Sequence, residues 1–208
     1  KQVLVEIKQT QTTDKVFVLP IGIDVYTGGK KEHYQVWSKN KVDSFYFPSN
    51  TAPDNVNVDN DKVLLWEKED AKPLAQFVYQ YHHAANFMDR YEAVNEAVQN
   101  MSKSEAQALV KAALKDSFYI IRQAAIKAYN PAAMSAETAQ TIFEMAAKDP
   151  STQVRQEAID ALGALSKVTY KNDFLKWAED DSYLVAGAAL DALEKIDSTS
   201  AISIAMKA

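Results

Sequence analysis

One motif is repeated along the second half of this 208-residue chain, and it restricts the possible folds more than any other feature. The motif is an arginine, an alanine three residues later, an aliphatic residue four later and an apolar residue seven later. Its copies begin at Arg90, Arg122 and Arg155, and a fourth has Ala186 in place of the arginine, so the offsets are 32, 33 and 31 residues. Apolar residues spaced three and four apart over such a period predict two helices per unit. Because a helical hairpin cannot bury its apolar face alone, we expect the units to stack as an α-solenoid.

This pattern resembles the HEAT repeat, in which an Asp between the two helices and an Arg six residues later link neighbouring units. The two central repeats contain the complete pair, Asp116 with Arg122 and Asp149 with Arg155. The resemblance implies a series of Asp–Arg links that is incomplete at the ends, because each outer repeat lacks one partner. These outer repeats have Ala84 before Arg90 and Asp180 before Ala186.

The three arginines are the only ones in the chain, and all occupy the same repeat position. A periodic residue is most simply explained by a periodic packing requirement. We therefore predict that Arg90, Arg122 and Arg155 donate hydrogen bonds to Asp and carbonyl groups of neighbouring units, using the planar guanidinium that Lys lacks. The alternative is a basic stripe that binds an acidic peptide or a carboxylate terminus.

The residues before the repeats alternate with a period of two, which is typical of strands with one buried face. Further short strands are predicted at 45–47, 56–58 and 63–66, and the sequence TGGK at 27–30 predicts a hairpin turn. In the clearest strand, the residues expected to face the core are Phe17, Leu19, Ile21, Ile23 and Val25, and those expected on the opposite face are Val18, Gly22 and Asp24.

These patterns predict a β-sandwich domain over residues 1–68 followed by an all-α, HEAT-like α-solenoid over residues 69–208. Two helix starts are also predicted from local signals. Ser102 to Glu105 has the sequence of a capping box, and Asp149 followed by Pro150 has that of an N-cap and a first-turn proline.

The composition excludes several classes of function. The formal net charge is −5, and the 20 lysines are scattered among 28 acidic residues, so the chain lacks the basic patch that binds nucleic acid. The chain contains no cysteine, which excludes disulfides and thiolate chemistry. No apolar run approaches the about 18 residues that a membrane span needs. We therefore predict no nucleic-acid partner and no membrane span.

The sequence contains no recognisable catalytic or metal-binding motif. His82 and His83 are adjacent and would point about 100° apart on a helix, whereas helical zinc ligands are spaced four residues apart. His33 is alone in a predicted strand. A nucleophile elbow, a glycine-rich phosphate loop and the motif H-E-x-x-H are all missing. We predict no catalytic residue, no metal ligand and no cofactor within this segment.

Several segments together resemble the downstream part of a known enzyme family. In the strand region they are VLVEIKQTQ, KVFVLPIGIDV, EHYQVWSK, SFYFP and NVNVDNDKVLLWE, and QYHHAANFMDRYEA follows where the helices begin. Their order resembles the β-sandwich and helical domain of gluzincin zinc aminopeptidases, the aminopeptidase N family. Because the chain begins KQVLVEIKQ without an initiating Met, we expect it to be a piece of a longer protein.

The resemblance implies a parent enzyme that removes N-terminal residues from peptides by means of zinc-activated water. The zinc would be held in a catalytic domain upstream, through H-E-x-x-H and a downstream Glu, and a G-x-M-E-N motif there would bind the substrate amine. This segment would then be a noncatalytic spacer and lid that limits the access of peptide substrates. Its partners would be the catalytic domain of the same chain and those peptides.

The alternative hypothesis is a noncatalytic protein-binding scaffold or adaptor built on the solenoid. Under either hypothesis, the second helices of the repeats are expected to line the concave side, as is usual in solenoids. They define a predicted peptide-facing surface. Its residues are Asn95, Gln123, Lys127, Gln156, Asp160 and Asp191.

Overall fold

The computed structural model describes residues 1–206, in which five strands are followed by nine α-helices. The chain forms two compact units, Lys1–Ala97 and Val98–Ala208. The first unit contains the strands and the first helical hairpin. The predicted domain boundary between residues 68 and 69 follows the change from strands to helices and stays a prediction.

Two small antiparallel sheets form the β-region of the first unit. The strands are β1 (Gln2–Lys8), β2 (Leu19–Thr27), β3 (Lys30–Ser38), β4 (Val42–Pro48) and β5 (Asn55–Val58). One sheet has the order β1-β4 and the other β3-β2-β5. Their inward side chains share one core, made of Val3, Ile7, Ile21, Ile23, Val25 and Phe47. This arrangement confirms the predicted small β-sandwich and the hairpin between β2 and β3.

The predicted burial pattern of β2 is wrong in two respects: its first expected core residue, Phe17, is not buried, and part of the face expected to be open is buried. Phe17 precedes the strand and is 43% exposed, because the side-chain amide of Gln9 bonds both its N–H (2.9 Å) and its carbonyl oxygen (2.8 Å). Gly22 and Asp24, expected on an open face, are buried. A Cβ on Gly22 would meet Asn60 Oδ1 at 2.3 Å, so this glycine allows a close approach.

The predicted strand at 63–66 does not form. Asp59 and Lys62 have positive φ angles of 53° and 52°, and these turn the chain just before the segment. The Asp59 carboxylate then accepts hydrogen bonds from the N–H groups of Val63 (3.2 Å) and Leu64 (3.4 Å). Donors that a strand partner would have used are therefore satisfied by a side chain.

Side chains that follow this turn form hydrogen bonds with backbone groups on the free edge of β5. Lys68 donates to the carbonyl oxygen of Val58 (3.1 Å), and Lys72 donates to that of Val56 (2.9 Å). Gln76 Oε1 accepts from the N–H of Val56 (3.1 Å). Burial lowers the pKa of the Lys72 amine to about 8. The backbone groups on this edge are thus bonded without a neighbouring strand.

The helices have the two-per-repeat order that the sequence period predicts. In the first unit they are α1 (Leu74–His83) and α2 (Phe87–Gln99); in the second they are α3 (Ser104–Ala113), α4 (Tyr119–Lys127), α5 (Ala136–Lys148), α6 (Thr152–Gly163), α7 (Lys171–Trp177), α8 (Tyr183–Glu194) and α9 (Ser198–Ala205). In the second unit, α3, α5 and α7 each pair with the following helix, and α6 packs against both α4 and α8. The prediction of a HEAT-like helical region after a β-sandwich is confirmed.

Both predicted helix starts are wrong. Helix α3 begins at Ser104 after Lys103, with no side-chain cap, so the capping box from Ser102 does not form. Asp149 ends α5 instead of starting α6, and α6 begins at Thr152. The reason is that the Asp149 carboxylate binds Arg122 and the N–H of Ser151. Its oxygens therefore fix the turn between two helices.

We expect Asp43→Asn to lower the melting temperature at pH 7 and to have a much smaller effect near pH 2. In the turn between β3 and β4, the Asp43 carboxylate accepts from the side chain and N–H of Asn40, the N–H of Lys39 and the hydroxyl of Ser38. The Asn40 side chain contributes most to lowering the Asp43 pKa from 3.8 to about 2.

A depressed carboxyl pKa stabilises the fold above the ordinary pKa, and this contribution is lost as the pH falls from 3.8 towards 2. Circular-dichroism melts of the wild type and Asp43→Asn between pH 2 and pH 7 measure it. A difference in melting temperature that did not change with pH would contradict the prediction.

Candidate functional site

Arg122 links two adjacent repeats of the second unit. Its Nε and Nη2 atoms donate to the two carboxylate oxygens of Asp149 at 2.8 and 2.7 Å, which is a bidentate pair. Its Nη1 donates to the carbonyl oxygen of Asp116 in its own repeat at 2.8 Å. Arg122 is only 9% exposed. The guanidinium therefore joins the turn of one hairpin to the turn of the next.

Arg155 makes the corresponding link one repeat further along. Its Nη2 donates to the carboxylate of Asp180, and its Nε donates to the carbonyl oxygen of Ala146 (3.3 Å). Burial raises the pKa of Asp180, but the Ser182 N–H and the Arg155 guanidinium together bring it below its ordinary value. We call these two rungs, Arg122–Asp149 and Arg155–Asp180, the arginine ladder. Asp180 thus extends the ladder although its own repeat has no arginine.

Each aspartate of the repeats also shapes the turn in which it lies. The carboxylates of Asp116, Asp149 and Asp180 accept the backbone N–H two residues later, at 2.8, 2.9 and 3.0 Å. This is the local bond by which Asp favours turns. The third arginine, Arg90, lies in the first unit, where its Nη1 is 3.5 Å from the carbonyl oxygen of Ala85.

Five of the six predicted peptide-facing residues lie on the packed second helices of the second unit. Gln123 and Lys127 lie on α4, Gln156 and Asp160 on α6, and Asp191 on α8. We call this set the second-helix surface. The sixth, Asn95, is exposed on α2 and belongs to the first unit.

The second-helix surface is polar and has cross-helix contacts. Gln123 donates to the carbonyl oxygen of Gln153 (3.2 Å), and Lys127 pairs with Glu157 at 3.0 Å. Lys127, Asp160 and Asp191 are exposed. Side chains of α4 therefore contact α6 along the second-helix surface, while the charged groups of Lys127, Asp160 and Asp191 remain accessible to a partner.

The centre of this surface is electronegative. Although Asp160 is exposed, the protein around its carboxyl group removes part of its hydration, and this loss contributes most to raising its pKa. The neighbouring charges of Glu157 and Asp191 raise the pKa further, and Lys195 and Lys127 oppose this effect. Three carboxylates therefore lie near two ammonium groups at this position.

A glycine sets the spacing of the helices beneath the surface. A Cβ on Gly163, at the end of α6, would lie 2.7 Å from the Cβ and 3.1 Å from the Cα of Ala192 on α8. By contrast, a Cβ on Gly187, in the middle of α8, would meet nothing within 4 Å. Gly163 is therefore a packing glycine and Gly187 is not.

Sequence reasoning missed two apolar side chains at the start of α8. Tyr183 is 95% exposed and Leu184 is 45% exposed. The repeat gives no signal for their exposure, because the corresponding positions are apolar in α2 (Phe87, Met88) and α4 (Tyr119, Ile120) and polar only in α6 (Thr152, Gln153).

Sequence reasoning also missed a polar cluster in the β-sandwich. Asp24 is buried, and its carboxylate lies 3.1 Å from Lys31 Nζ and 2.8 Å from His33 Nδ1 on β3. The hydrogen bond to Asp24 contributes most to raising the Lys31 pKa. His33, predicted to be alone, is thus paired with a carboxylate.

Among residues 1–206, no three His, Cys, Asp or Glu side chains are grouped so that they could hold a metal ion. The helices in the same range are too short or too polar to cross a bilayer. Of the adjacent histidines, His83 stacks on Tyr79 and its Nδ1 lies 2.8 Å from the Tyr79 carbonyl oxygen.

Comparison with known proteins gives one result. A family model described as HEAT repeats matches residues 139–208, which contain most of α5 and the helices α6 to α9. No curated protein matches the chain, and the resemblance to gluzincin aminopeptidases stays a prediction. The C-terminal helices of this protein are therefore similar to HEAT repeats.

Proposed function

We propose that the helical region is a noncatalytic protein-binding scaffold whose partner lies across the second-helix surface. The observation that carries the proposal is the packing of α4, α6 and α8 in one layer, with an exposed polar face and an electronegative centre. Stacked helical repeats use extended surfaces of this kind for binding.

The charges of the surface favour a basic partner. A Lys or Arg side chain placed beside Asp160 and Asp191 would be attracted by these carboxylates and that of Glu157, which lie close enough to influence one another. Complementary charges of this kind increase the association rate and orient the partner. Tyr183 and Leu184 add exposed apolar area at one end of α8, and exposed tyrosines are frequent anchors in interfaces. The partner segment is therefore expected to carry basic residues next to an apolar one.

We expect that peptides selected from a displayed library for binding to the whole 208-residue chain will be rich in Lys and Arg and will bind the second-helix surface. Asp160→Lys and Tyr183→Ala should each weaken a selected peptide at least about tenfold in fluorescence anisotropy, as is common for interface anchors. Glu105→Lys, an equal charge change at an exposed position of α3, is the control and should leave binding unchanged. Selection without basic enrichment, or equal loss in the control, would contradict this function.

A second candidate function comes from the order of the two regions. A small β-sandwich followed by HEAT-like helices is also the order implied by the resemblance to gluzincin aminopeptidases. In that case the β-sandwich is a spacer, and the helices are a lid that limits peptide access to an upstream zinc-binding domain. The reading frame upstream of Lys1 distinguishes the two functions. H-E-x-x-H with a G-x-M-E-N motif a few dozen residues earlier supports the enzyme, and loss of both supports the scaffold.

A further inference from the structure

The outer edge of β1 has unpaired backbone groups. In the range that the structure describes, β1 pairs with β4 alone. The ladder ends with Gln9 N–H bonded to the Lys41 carbonyl oxygen (2.9 Å) and Ser49 N–H bonded to that of Lys1 (3.1 Å). Hydrogen-bonded pairs alternate in antiparallel sheets. The backbone N–H and C=O groups of the odd-numbered residues of β1 therefore bond to β4, and those of the even-numbered residues point away from β4, towards the free edge. The outward residues are Gln2, Leu4, Glu6 and Lys8.

The pairing of Pro48 agrees with this assignment. Pro48 lies opposite Gln2, which is a pair without mutual hydrogen bonds, and so the missing N–H of proline costs the ladder nothing. No hydrogen bond joins the backbone of the outward residues to another part of residues 1–206. The register also runs without a bulge from Gln2 to Lys8, and the strand lacks the prolines or bulges that protect many edges.

This edge faces a groove within the first unit. The groove has a volume of about 1220 Å³ and is lined by residues 1–8 on one side and 66–73 on another. Val56, Val58 and Trp66 contribute apolar lining. The volume exceeds the about 300–1,000 Å³ typical of small-molecule sites. An elongated ligand with its own hydrogen-bonding backbone fits such a site.

The free edges of β5 and β1, which both border the groove, differ in whether side chains bond their backbone groups. Lys68, Lys72 and Gln76 bond the backbone of β5 on its free edge, as described above. No side chain does the same for the outward residues of β1. One edge is therefore closed by the fold, and the other keeps donors and acceptors that only another strand bonds regularly.

We propose that the edge of β1 binds an extended peptide segment of a partner protein, which becomes the third strand of the β1-β4 sheet. A second copy of this chain fits less well, because its own β1 is bonded to β4 and would bring a two-stranded sheet. Residues 66–73 also line the groove, and a single extended segment brings its backbone to the edge without a second strand attached.

The side chains beside the edge define the chemistry of this segment. Its alternate residues would point inward, towards Val56, Val58 and Trp66, and should be apolar. The others would lie opposite the outward residues of β1 on the exposed face. Cross-strand pairing favours an aliphatic residue opposite Leu4, a basic one opposite Glu6 and an acidic one opposite Lys8.

The acetylated and amidated heptapeptide EVKVLVT places these residues antiparallel to β1 and is the probe. Amide hydrogen exchange of the whole chain, followed by NMR, is the measurement. In the free protein, the amides of Leu4, Glu6 and Lys8 should exchange rapidly, and those of Val3, Val5 and Ile7 slowly. Saturating peptide should slow exchange of the first set at least about tenfold, as expected for amides that become hydrogen-bonded.

Matched controls separate strand addition from nonspecific binding. N-methylation of the Lys and Leu residues of the peptide removes donors to β1 and should abolish the protection. N-methylation of two valines removes donors that point away from β1 and should preserve most of it. In the protein, Glu6→Pro removes one outward N–H and should weaken binding about threefold to tenfold relative to Glu6→Ala, which keeps this donor and loses only the pairing with the peptide lysine.

Three results would overturn the proposal. The first is unchanged exchange of Leu4, Glu6 and Lys8 at millimolar peptide. The second is equal binding of the two N-methylated peptides. The third is protection without peptide that grows with protein concentration, together with a dimer in sedimentation, which would assign the edge to a second copy.

Discussion

Gly163→Ala is expected to destabilise the second unit, although alanine forms helices better than glycine. The new Cβ would lie 2.7 Å from the Ala192 Cβ and 3.1 Å from its Cα, and both atoms belong to a packed helix. Such overpacking typically costs about 1–3 kcal/mol, because neighbouring helices must shift. Denaturant unfolding followed by circular dichroism measures the loss. Gly163→Leu should cause a larger loss than Gly163→Ala.

Gly187→Ala is the matched control, and its effect should have the opposite sign. Gly187 lies inside α8, and an added Cβ would meet nothing within 4 Å. Replacing an unconstrained helical glycine by alanine stabilises by about 0.5–1 kcal/mol. Equal effects of the two substitutions would show that the contact between Gly163 and Ala192 does not limit the spacing of α6 and α8.

Arg122→Ala is expected to be among the most destabilising single changes in the chain. It leaves the buried Asp149 carboxylate without its bidentate partner and removes the donor to the Asp116 carbonyl oxygen. Loss of one partner from a buried ion pair costs about 3–5 kcal/mol. Arg122→Lys keeps the charge but not the planar fork, so its effect should be smaller and still lower the melting temperature.

Two comparisons identify the ladder as the cause. Arg155→Ala should cost less than Arg122→Ala, because the Arg155 and Asp180 side chains are about twofold to threefold more exposed than Arg122 and Asp149. Lys127→Ala, which breaks an exposed pair with Glu157, should change stability by less than about 1 kcal/mol. Arg122→Lys with an unchanged melting temperature would contradict the structural role of the arginine.

The sequence predicts those parts of the fold that depend on periodic burial. Ala125 and Ile126 on α4 and Ala158 and Ile159 on α6 are all buried, as their repeat positions indicate. In β2, the alternation of Ile21, Ile23 and Val25 likewise identifies the core face. Burial of an apolar face is repeated along the chain, and this repetition is visible without coordinates.

Several of the wrong predictions share a different cause, which is a carboxylate that bonds outside the local pattern. Asp149 before Pro150 has the sequence of an N-cap, but its oxygens bind Arg122 from the preceding repeat. Asp59 uses the N–H groups of a segment that looks like a strand. Asp24 is buried because its cationic partners lie on β3. These partners are distant in sequence or depend on a turn, and local propensity does not contain them.

The second-helix surface is predictable from the sequence where it depends on the period of the repeat. The positions of Gln123, Gln156 and Asp160 follow from the period of the repeat. The exposure of Tyr183 and Leu184 is not predictable from the repeat, because the same positions are apolar in α2 and α4. The rung between Arg155 and Asp180 joins successive repeats, whereas the sequence pattern pairs each Asp with the Arg six residues later in the same repeat.

The arginine ladder has a head-to-tail polarity that determines how the array can grow. Each rung joins an arginine to the aspartate of the following repeat, so the 31 residues from Asp149 to Glu179 both receive a link, at Asp149, and donate one, from Arg155. A tandem duplication of this module would preserve every rung. A module appended after α8 would meet Ala186, which has no guanidinium to offer. Insertion in the interior of the array therefore continues the ladder, whereas a repeat added beyond α8 would have to pack without a rung.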